Sequence, residues 1–424
     1  MVTGIVIARQ LGPELRGEYG LVILAVNLLA LGHLGLGPAI TYFTGKNKLD
    51  RGKILTFTIG SSLFLGTVFA TIFYFVYPHI PEIWTDIPRP IILIGLVSVP
   101  FYFLTNFFTS FLMGLLKVKQ YNIVSIIRGV SRLLLVVILI WIFKGKVIET
   151  TISFTSAIII ACMLGLFLFT RDIKPARITE PSFIKPFLSY GFKVYIIIVF
   201  HFLNYRLDIF LIKHFLTTSD VGFYQIAVGI SESLWYIPTA LNYVLLPTLL
   251  IMREGSSKFT AKVCRNSFVV MLILAIVLIL TGKFFIILLY GEEYTPSAFA
   301  LYSIMWGIVV TALYKVIFAD FSARRRLGVP ILGSIIGVLV NLAANLYMIP
   351  RYGIVGAGIS TSLSYSVLTF ILIGCFMRHH KMRLRELIIP NREDLESYRE
   401  GLKSLRAFLQ VAGKKGKGDK PPTV

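Results

Sequence analysis

Arg128 and Arg132 stand one helical turn apart inside an otherwise apolar stretch, residues 122–143. On a helix they share a face. A guanidinium at the middle of a bilayer costs about 2.5 to 3.5 kcal/mol on an insertion scale. Such a pair therefore belongs in a wet cleft gripping phosphate oxygens bidentately, in a structural ion pair, or at an interface reached by snorkelling. A second polar group occupies residues 193–213. His201, Asn204 and Asp208 fall at i, i+3 and i+7 and form one stripe, while Arg206 projects to another face, closer to Lys213. A helix polar on two faces fits between a cavity and its bundle partners. Asp208 then either neutralises an arginine from elsewhere or couples an ion, and His201 is either a satisfied bundle residue or a proton carrier. Glu232 is the only charge in residues 221–252, with Gln225 two turns earlier on its face. A carboxylate there is expected to be paired or protonated, and intramembrane acids often mark Na⁺ or H⁺ pathways. Lys315 is a further candidate for a cationic cavity, whereas Asp320 and Arg324 suit an interfacial i,i+4 pair.

The elements that must hold these residues are helices that cross a membrane. Eleven apolar stretches of about 19 to 32 residues follow one another, each long enough for a hydrocarbon core roughly 30 Å thick. They are residues 19–41, 54–77, 91–116, 122–143, 150–170, 194–212, 221–252, 266–290, 295–319, 327–350 and 352–377. An apolar run at the N-terminus reads as the outer end of a further helix, so the fold class is an all-α polytopic membrane protein of about 12 helices. Hydrophobic residues make up 56% of the chain, and the mean hydropathy is +0.79. Cys162, Cys264 and Cys375 show no paired spacing and are expected as free thiols. No HExxH, CxxC, Walker A or GxSxG pattern occurs, so neither catalysis, a metal nor a cofactor is expected.

Lys and Arg number 42 against 21 Asp and Glu. The cations cluster in alternate connections: Lys46, Lys48, Arg51 and Lys53; Lys117 and Lys119; Arg171, Lys174, Arg177 and Lys185; Arg253, Lys258, Lys262 and Arg265; Arg324 to Arg326. Loops so placed point to a cytoplasmic face against anionic lipid, with both termini of the complete 12-helix topology inside, and not to nucleic acid. The segment Leu11-Gly12-Pro13-Glu14-Leu15-Arg16-Gly17-Glu18-Tyr19 is echoed 205 positions later by Leu216-Thr217-Thr218-Ser219-Asp220-Val221-Gly222-Phe223-Tyr224. Parallel repeats place a substrate site between them. The organisation expected is an N-terminal bundle over 1–170, a cytoplasmic linker over 171–190, a C-terminal bundle over 191–377 and a basic tail over 378–424. In the tail, residues 392–409 suit a short surface helix and residues 414–422 disorder.

Ala8-Arg9-Gln10-Leu11-Gly12-Pro13 with Gly17-Glu18-Tyr19, then Arg206-Leu207-Asp208 with Val221-Gly222-Phe223-Tyr224, then Leu289-Tyr290-Gly291-Glu292-Glu293-Tyr294, and Asn345 to Ala357 appear in an order that resembles the Wzx-like polysaccharide flippases. These belong to the multidrug/oligosaccharidyl-lipid/polysaccharide exporter superfamily. The resemblance implies two six-helix bundles around a central cavity and alternating access that moves a polyprenyl-diphosphate-linked oligosaccharide across the cytoplasmic membrane. Arg128, Arg132, Arg206 and Lys315 would then face the headgroup, with Asp208, Glu232 and His201 serving ion coupling or charge pairing. Tyr195, Tyr205, Trp235, Tyr236 and Trp306 either stack on sugars or pack between helices. The alternatives are a MATE-like exporter of small organic cations, which needs an anionic cavity, and a membrane glycan polymerase or ligase, for which the outer loops are short.

Overall fold

The computed structural model describes residues 2–46, 50–80, 84, 87–179, 183–252, 255–324, 326–391 and 394. These residues build α1 (Val2–Ala30), α2 (Leu36–Gly45), α3 (Arg51–Val76), α4 (Arg89–Gly114), α5 (Val118–Val136), α6 (Val147–Asp172), α7 (Ile184–Phe215), α8 (Thr218–Ser233), α9 (Tyr236–Ile251), α10 (Ser256–Tyr290), α11 (Thr295–Ala323), α12 (Gly328–His380) and α13 (Leu384–Ile388). Nine helices among the described residues are long and apolar enough to cross a membrane. Gly353 divides α12 into two passes and α8 with α9 forms a further, broken one, so eleven passes follow the short helical segment ahead of Gly12. The protein is a multi-pass membrane protein. Lys48, Arg253, Arg325, the expected surface helix at 392–409 (Asp394 apart) and the expected disordered stretch at 414–422 lie outside the described residues.

The breaks have local causes. Gly12 takes φ 72° and ψ 174°, a region essentially reserved for glycine, and Pro13 then opens the next helical segment, where a missing N–H costs nothing. Gly353, three residues after Pro350, takes φ 58° and ψ −141° and turns the chain between the two passes of α12. Two other breaks are related through proline. A proline ring clashes with the carbonyl four residues earlier. For Pro38 that residue is Leu34, held at φ 50° between a 3₁₀ turn and α2; for Pro238 it is Leu234, in the gap between α8 and α9. One expected span in each half is thus a broken helix.

Within the chain, α4 packs on α2, α3 and α6, while α11 packs between α10 and α12, and α12 packs on α7. The earlier and later helices meet where α1 packs on α8 and α2 on α7. A capping box fixes where α8 starts: Thr217 Oγ1 accepts from the Asp220 N–H at 3.3 Å, and Asp220 accepts from the Thr217 N–H at 3.1 Å. From that start, α8 lies against α1 almost backbone to backbone. A Cβ placed on Gly17 would stand 2.0 Å from the Thr218 carbonyl oxygen, and one on Gly222 would stand 2.2 Å from that of Pro13. Thr218 and Pro13 are themselves 205 positions apart, as are Gly222 and Gly17. Each repeat therefore offers its glycine to its counterpart's first turn, the reciprocal contact of a two-fold related pair.

Two polar pairs each join residues four apart in the chain. Asp320 accepts from Arg324 Nε at 2.8 Å, the expected i,i+4 pair. Asn341 and Asn345 are joined to each other by a 3.0 Å bond within α12, because residues four apart on a helix already face one another. All three cysteines are free.

Replacing Gly222 by Val forces a methyl-bearing side chain into the α1–α8 contact. The expected cost is about 1 to 3 kcal/mol of overpacking, checked as a lower thermal unfolding midpoint in detergent. A midpoint equal to the parent's would show that the two helices separate freely.

Candidate functional site

The α1–α8 contact sets two faces over one cavity of about 180 Å³, lined among others by Arg16, Tyr19, Arg132, Arg206, Gln225 and Glu232. Because the helix restarts at Pro13, Arg16, Tyr19, Gly20, Ile23 and Asn27 recur at helical spacing and present one face to it. Gly20 sits against Gln225: a Cβ there would fall 1.9 Å from the Gln225 Oε1. That closeness lets Gln225 reach Arg16, whose Nη1 donates to Gln225 Oε1 at 3.1 Å. Arg132, from α5, donates to the Tyr19 hydroxyl. Both guanidinium carbons stand close to the same Tyr19 ring, Arg16 at 5.7 Å and Arg132 at 5.8 Å from its centroid.

Arg206 reaches the cavity from α7 and is gripped by Glu232 of α8 through two parallel bonds of 2.9 and 3.1 Å. The side chains are 28% and 23% exposed, so the pair borders the cavity without being sealed in it. Three guanidinium groups and one carboxylate leave the wall with a net charge of two positives once Glu232 is set against Arg206. The Nε donors of Arg16 and Arg132 are buried and have no hydrogen-bond partner within the protein. A buried donor left unmatched is costly, and here both belong to residues that line the same small cavity.

A second cavity of about 390 Å³ adjoins the first at Asn27, which lines both. Its wall carries His33, Thr41, Tyr102, Asn106, Thr109, Ser110 and Tyr121 and, among the described residues, no Lys, Arg, Asp or Glu. The Gly35 N–H donates to His33 Nδ1 at 2.9 Å, and Thr41 Oγ1 donates to the Ser110 carbonyl at 2.9 Å. Amides, hydroxyls and two phenol rings make this a surface for neutral, hydroxyl-rich groups.

The structure separates the expected residues by role. Arg132 and Arg206 line the charged cavity; Arg128 is partly exposed and is not among its lining residues. Lys315 places its ammonium 4.6 Å from the Trp235 ring centroid and is likewise not among the lining residues. Glu232 is paired, and its partner is Arg206. Asp208 is 2% exposed and turns the other way, accepting from the Tyr224 hydroxyl and from Thr361 Oγ1 at 3.2 Å; among the described residues no arginine bonds to it. His201 Nε2 lies 2.8 Å from the Tyr314 hydroxyl, and Asn204 Oδ1 accepts from Ser364 Oγ at 2.6 Å. The 201–204–208 stripe thus packs on α11 and α12, as one face should. Tyr205, Trp235 and Tyr365 form a ring cluster with centroids 5.4 to 5.8 Å apart, a packing role for two of the aromatics considered for sugars. Arg16 is the cavity-lining arginine that sequence spacing missed. The signal for it is Pro13: a helix that starts there has Arg16 in its first turn and in phase with Tyr19 and Asn27. Among the described residues no His, Cys, Asp or Glu group could hold a metal.

A double-mutant cycle tests the pair at the cavity edge. Arg206→Gln and Glu232→Gln should each lower the unfolding midpoint, and the double variant should lose less than the two losses added, with a coupling of about 0.5 to 3 kcal/mol. Additive losses would mean that the two bonds contribute nothing jointly.

Residues 1–253 match the family described as polysaccharide biosynthesis protein. A probable low-salt glycan biosynthesis flippase, Agl15, of Haloferax volcanii is 24% identical over 62% of this chain and 56% of its own, so the match spans little more than half of that relative. A putative O-antigen transporter of Shigella flexneri is 22% identical over 84% of this chain and 88% of its own. In fold, the chain is similar to the lipid II flippase MurJ in an inward closed conformation, with a TM-score of 0.72 and 16% identity over 91% of this chain and 86% of that one. It is also similar to an inward-facing MATE multidrug resistance transporter, at 0.64 and 14% over 90% and 93%. With the match covering more than half its length, a helical membrane fold throughout and an arginine-lined cavity between its repeats, the chain belongs to the polysaccharide biosynthesis protein family.

Proposed function

We propose that this chain is a flippase that carries a lipid-linked oligosaccharide across the cytoplasmic membrane, holding the diphosphate linkage at Arg16 and Arg132 and the sugars in the adjoining neutral cavity. One observation carries this: Arg16 and Arg132 line a single cavity with no carboxylate partner among the described residues, while the third arginine is already neutralised by Glu232. A diphosphate diester brings two negative charges and many acceptor oxygens, which answers both the net charge and the free donors. The second cavity, uncharged and rich in hydroxyl and amide groups, suits sugar units attached to that linkage. Relatives named as a glycan biosynthesis flippase and an O-antigen transporter support the same substrate class.

Translocation is by alternating access between the halves 1–170 and 191–377, joined by the linker 171–190. The α1–α8 contact would close one side and open in the opposite state. By loop charge, the N-terminus of a complete 12-helix topology and the tail 378–424 are cytoplasmic, and the α1–α8 contact then lies toward the outer face. No covalent chemistry and no cofactor is proposed. Export of organic cations is disfavoured because the carboxylates it needs are committed: Glu232 to Arg206, and Asp208 to Tyr224 and Thr361. Asp208, buried within that cluster, is where a Na⁺ or H⁺ would couple.

In proteoliposomes loaded with a fluorescent polyprenyl-diphosphate oligosaccharide, Arg132→Gln and Arg16→Gln should each slow transbilayer movement about tenfold to a hundredfold, the loss expected for a charged hydrogen bond of about 1.5 to 3 kcal/mol. Arg128→Gln should move the lipid as fast as the parent. Parental rates in both cavity variants would sink the diphosphate assignment.

A further inference from the structure

Far from the central cavity, a pocket of about 820 Å³ lies between the first turns of α10 and the segment that includes α13, lined by Lys258, Phe259, Lys262, Met382, Arg385 and Ile389 among others. We propose that it binds the phosphate-bearing headgroup of an anionic membrane lipid. The depth of the pocket is the first argument. At 35 residues α10 is about 52 Å long, whereas the hydrocarbon core is about 30 Å thick. Its apolar run begins after Arg265, so Lys258 and Lys262 stand at headgroup level. They are four residues apart and share a face, and Arg385 joins them from the opposite wall.

The wall is built, not draped. Arg265 is 7% exposed, and its Nε donates to Asp394 Oδ2 at 2.6 Å, its Nη2 to Asp394 Oδ1 at 3.2 Å and its Nη1 to the Glu386 carbonyl at 2.6 Å. Asn391 and Asp394 exchange bonds of 3.0 and 2.9 Å, closing the turn. Burial would raise the Asp394 carboxyl, but the Arg265 bonds and the Asn391 N–H hold it below the usual carboxylate range, so the tie persists at neutral pH. The Glu386 carboxylate is turned to the Arg383 N–H at 2.8 Å. Phe259, Met382 and Ile389 give the pocket an apolar side, and Ile389 and Leu384 are 60% and 43% exposed, which suits contact with acyl chains and not with water. A soluble phosphate would use the cations and leave that apolar side unused.

The full chain, purified in detergent, would be titrated with phosphatidylglycerol, phosphatidylcholine or inorganic phosphate, and the bound species counted by native mass spectrometry. Each near-surface cation is worth about fivefold. The parent should retain phosphatidylglycerol over phosphatidylcholine by at least about tenfold, a preference erased in Lys258→Gln/Lys262→Gln/Arg385→Gln and kept when the lysines become arginine. Equal retention of the two lipids, or an unchanged preference in the glutamine variant, overturns the proposal. Inorganic phosphate binding as tightly as the lipid overturns it in favour of a soluble anion. The readout involves no transport, so its result stands apart from the fate of the flippase proposal.

Discussion

The close approach of α1 to α8 is the contact on which the site depends. In lipid, helices gain little by hiding apolar surface from one another, and association rests on packing and hydrogen bonds between near backbones. Gly17 and Gly222 supply that nearness, each against the other repeat's first turn. Everything polar in the cavity follows from it: Gln225 can touch Arg16 only because Gly20 has no side chain in the way, and Tyr19 and Glu232 line one space only because their helices are in register. Gly12 and the Thr217–Asp220 capping box set where the two helical segments begin, and therefore the register itself.

Charge is then distributed under a strict constraint. A guanidinium in the bilayer interior must be paired, or must border a polar space. Arg206 meets the first condition through Glu232, while Arg16 and Arg132 meet the second, each with one bond to the protein and an unmatched Nε. The carboxylates obey the same rule. Asp208, two residues from Arg206, faces away from it and is satisfied by hydroxyl groups of α8 and α12. An acid and a base so close in sequence are kept apart by the helix itself, which points residues two apart to different faces.

The passes were legible in the sequence because length and polarity alone decide them in a membrane. The repeat was legible from one glycine and one tyrosine, since close packing tolerates little else at the first of these. The site was legible only in part. Arg132 and Arg206 announce themselves as charges inside apolar runs, and the second face of the Asp208 helix follows from spacing. Arg16 was hidden because the charged turn before residue 19 looks like a connection until Pro13 is taken as a helix start. Where along α5 the cavity lies, and so whether Arg128 or Arg132 on their shared face lines it, depends on packing with helices distant in sequence and has no local signal. The Arg265–Asp394 tie was equally invisible, since its partners lie 129 positions apart and one of them sits in a segment that reads as polar tail.

The two repeats share a backbone plan but not a charge plan. Tyr19 and Tyr224 occupy corresponding positions, yet Tyr19 accepts a hydrogen bond from a guanidinium and Tyr224 donates one to a carboxylate. The same phenol can do either, because its oxygen is both donor and acceptor. In the first repeat this holds a cation at the cavity; in the second it anchors an acid behind the wall, where it cannot cancel that cation. A symmetric scaffold thus carries two unpaired guanidinium groups on the cavity side and a buried, hydroxyl-bonded carboxyl on the other, kept apart by a single helix, α7.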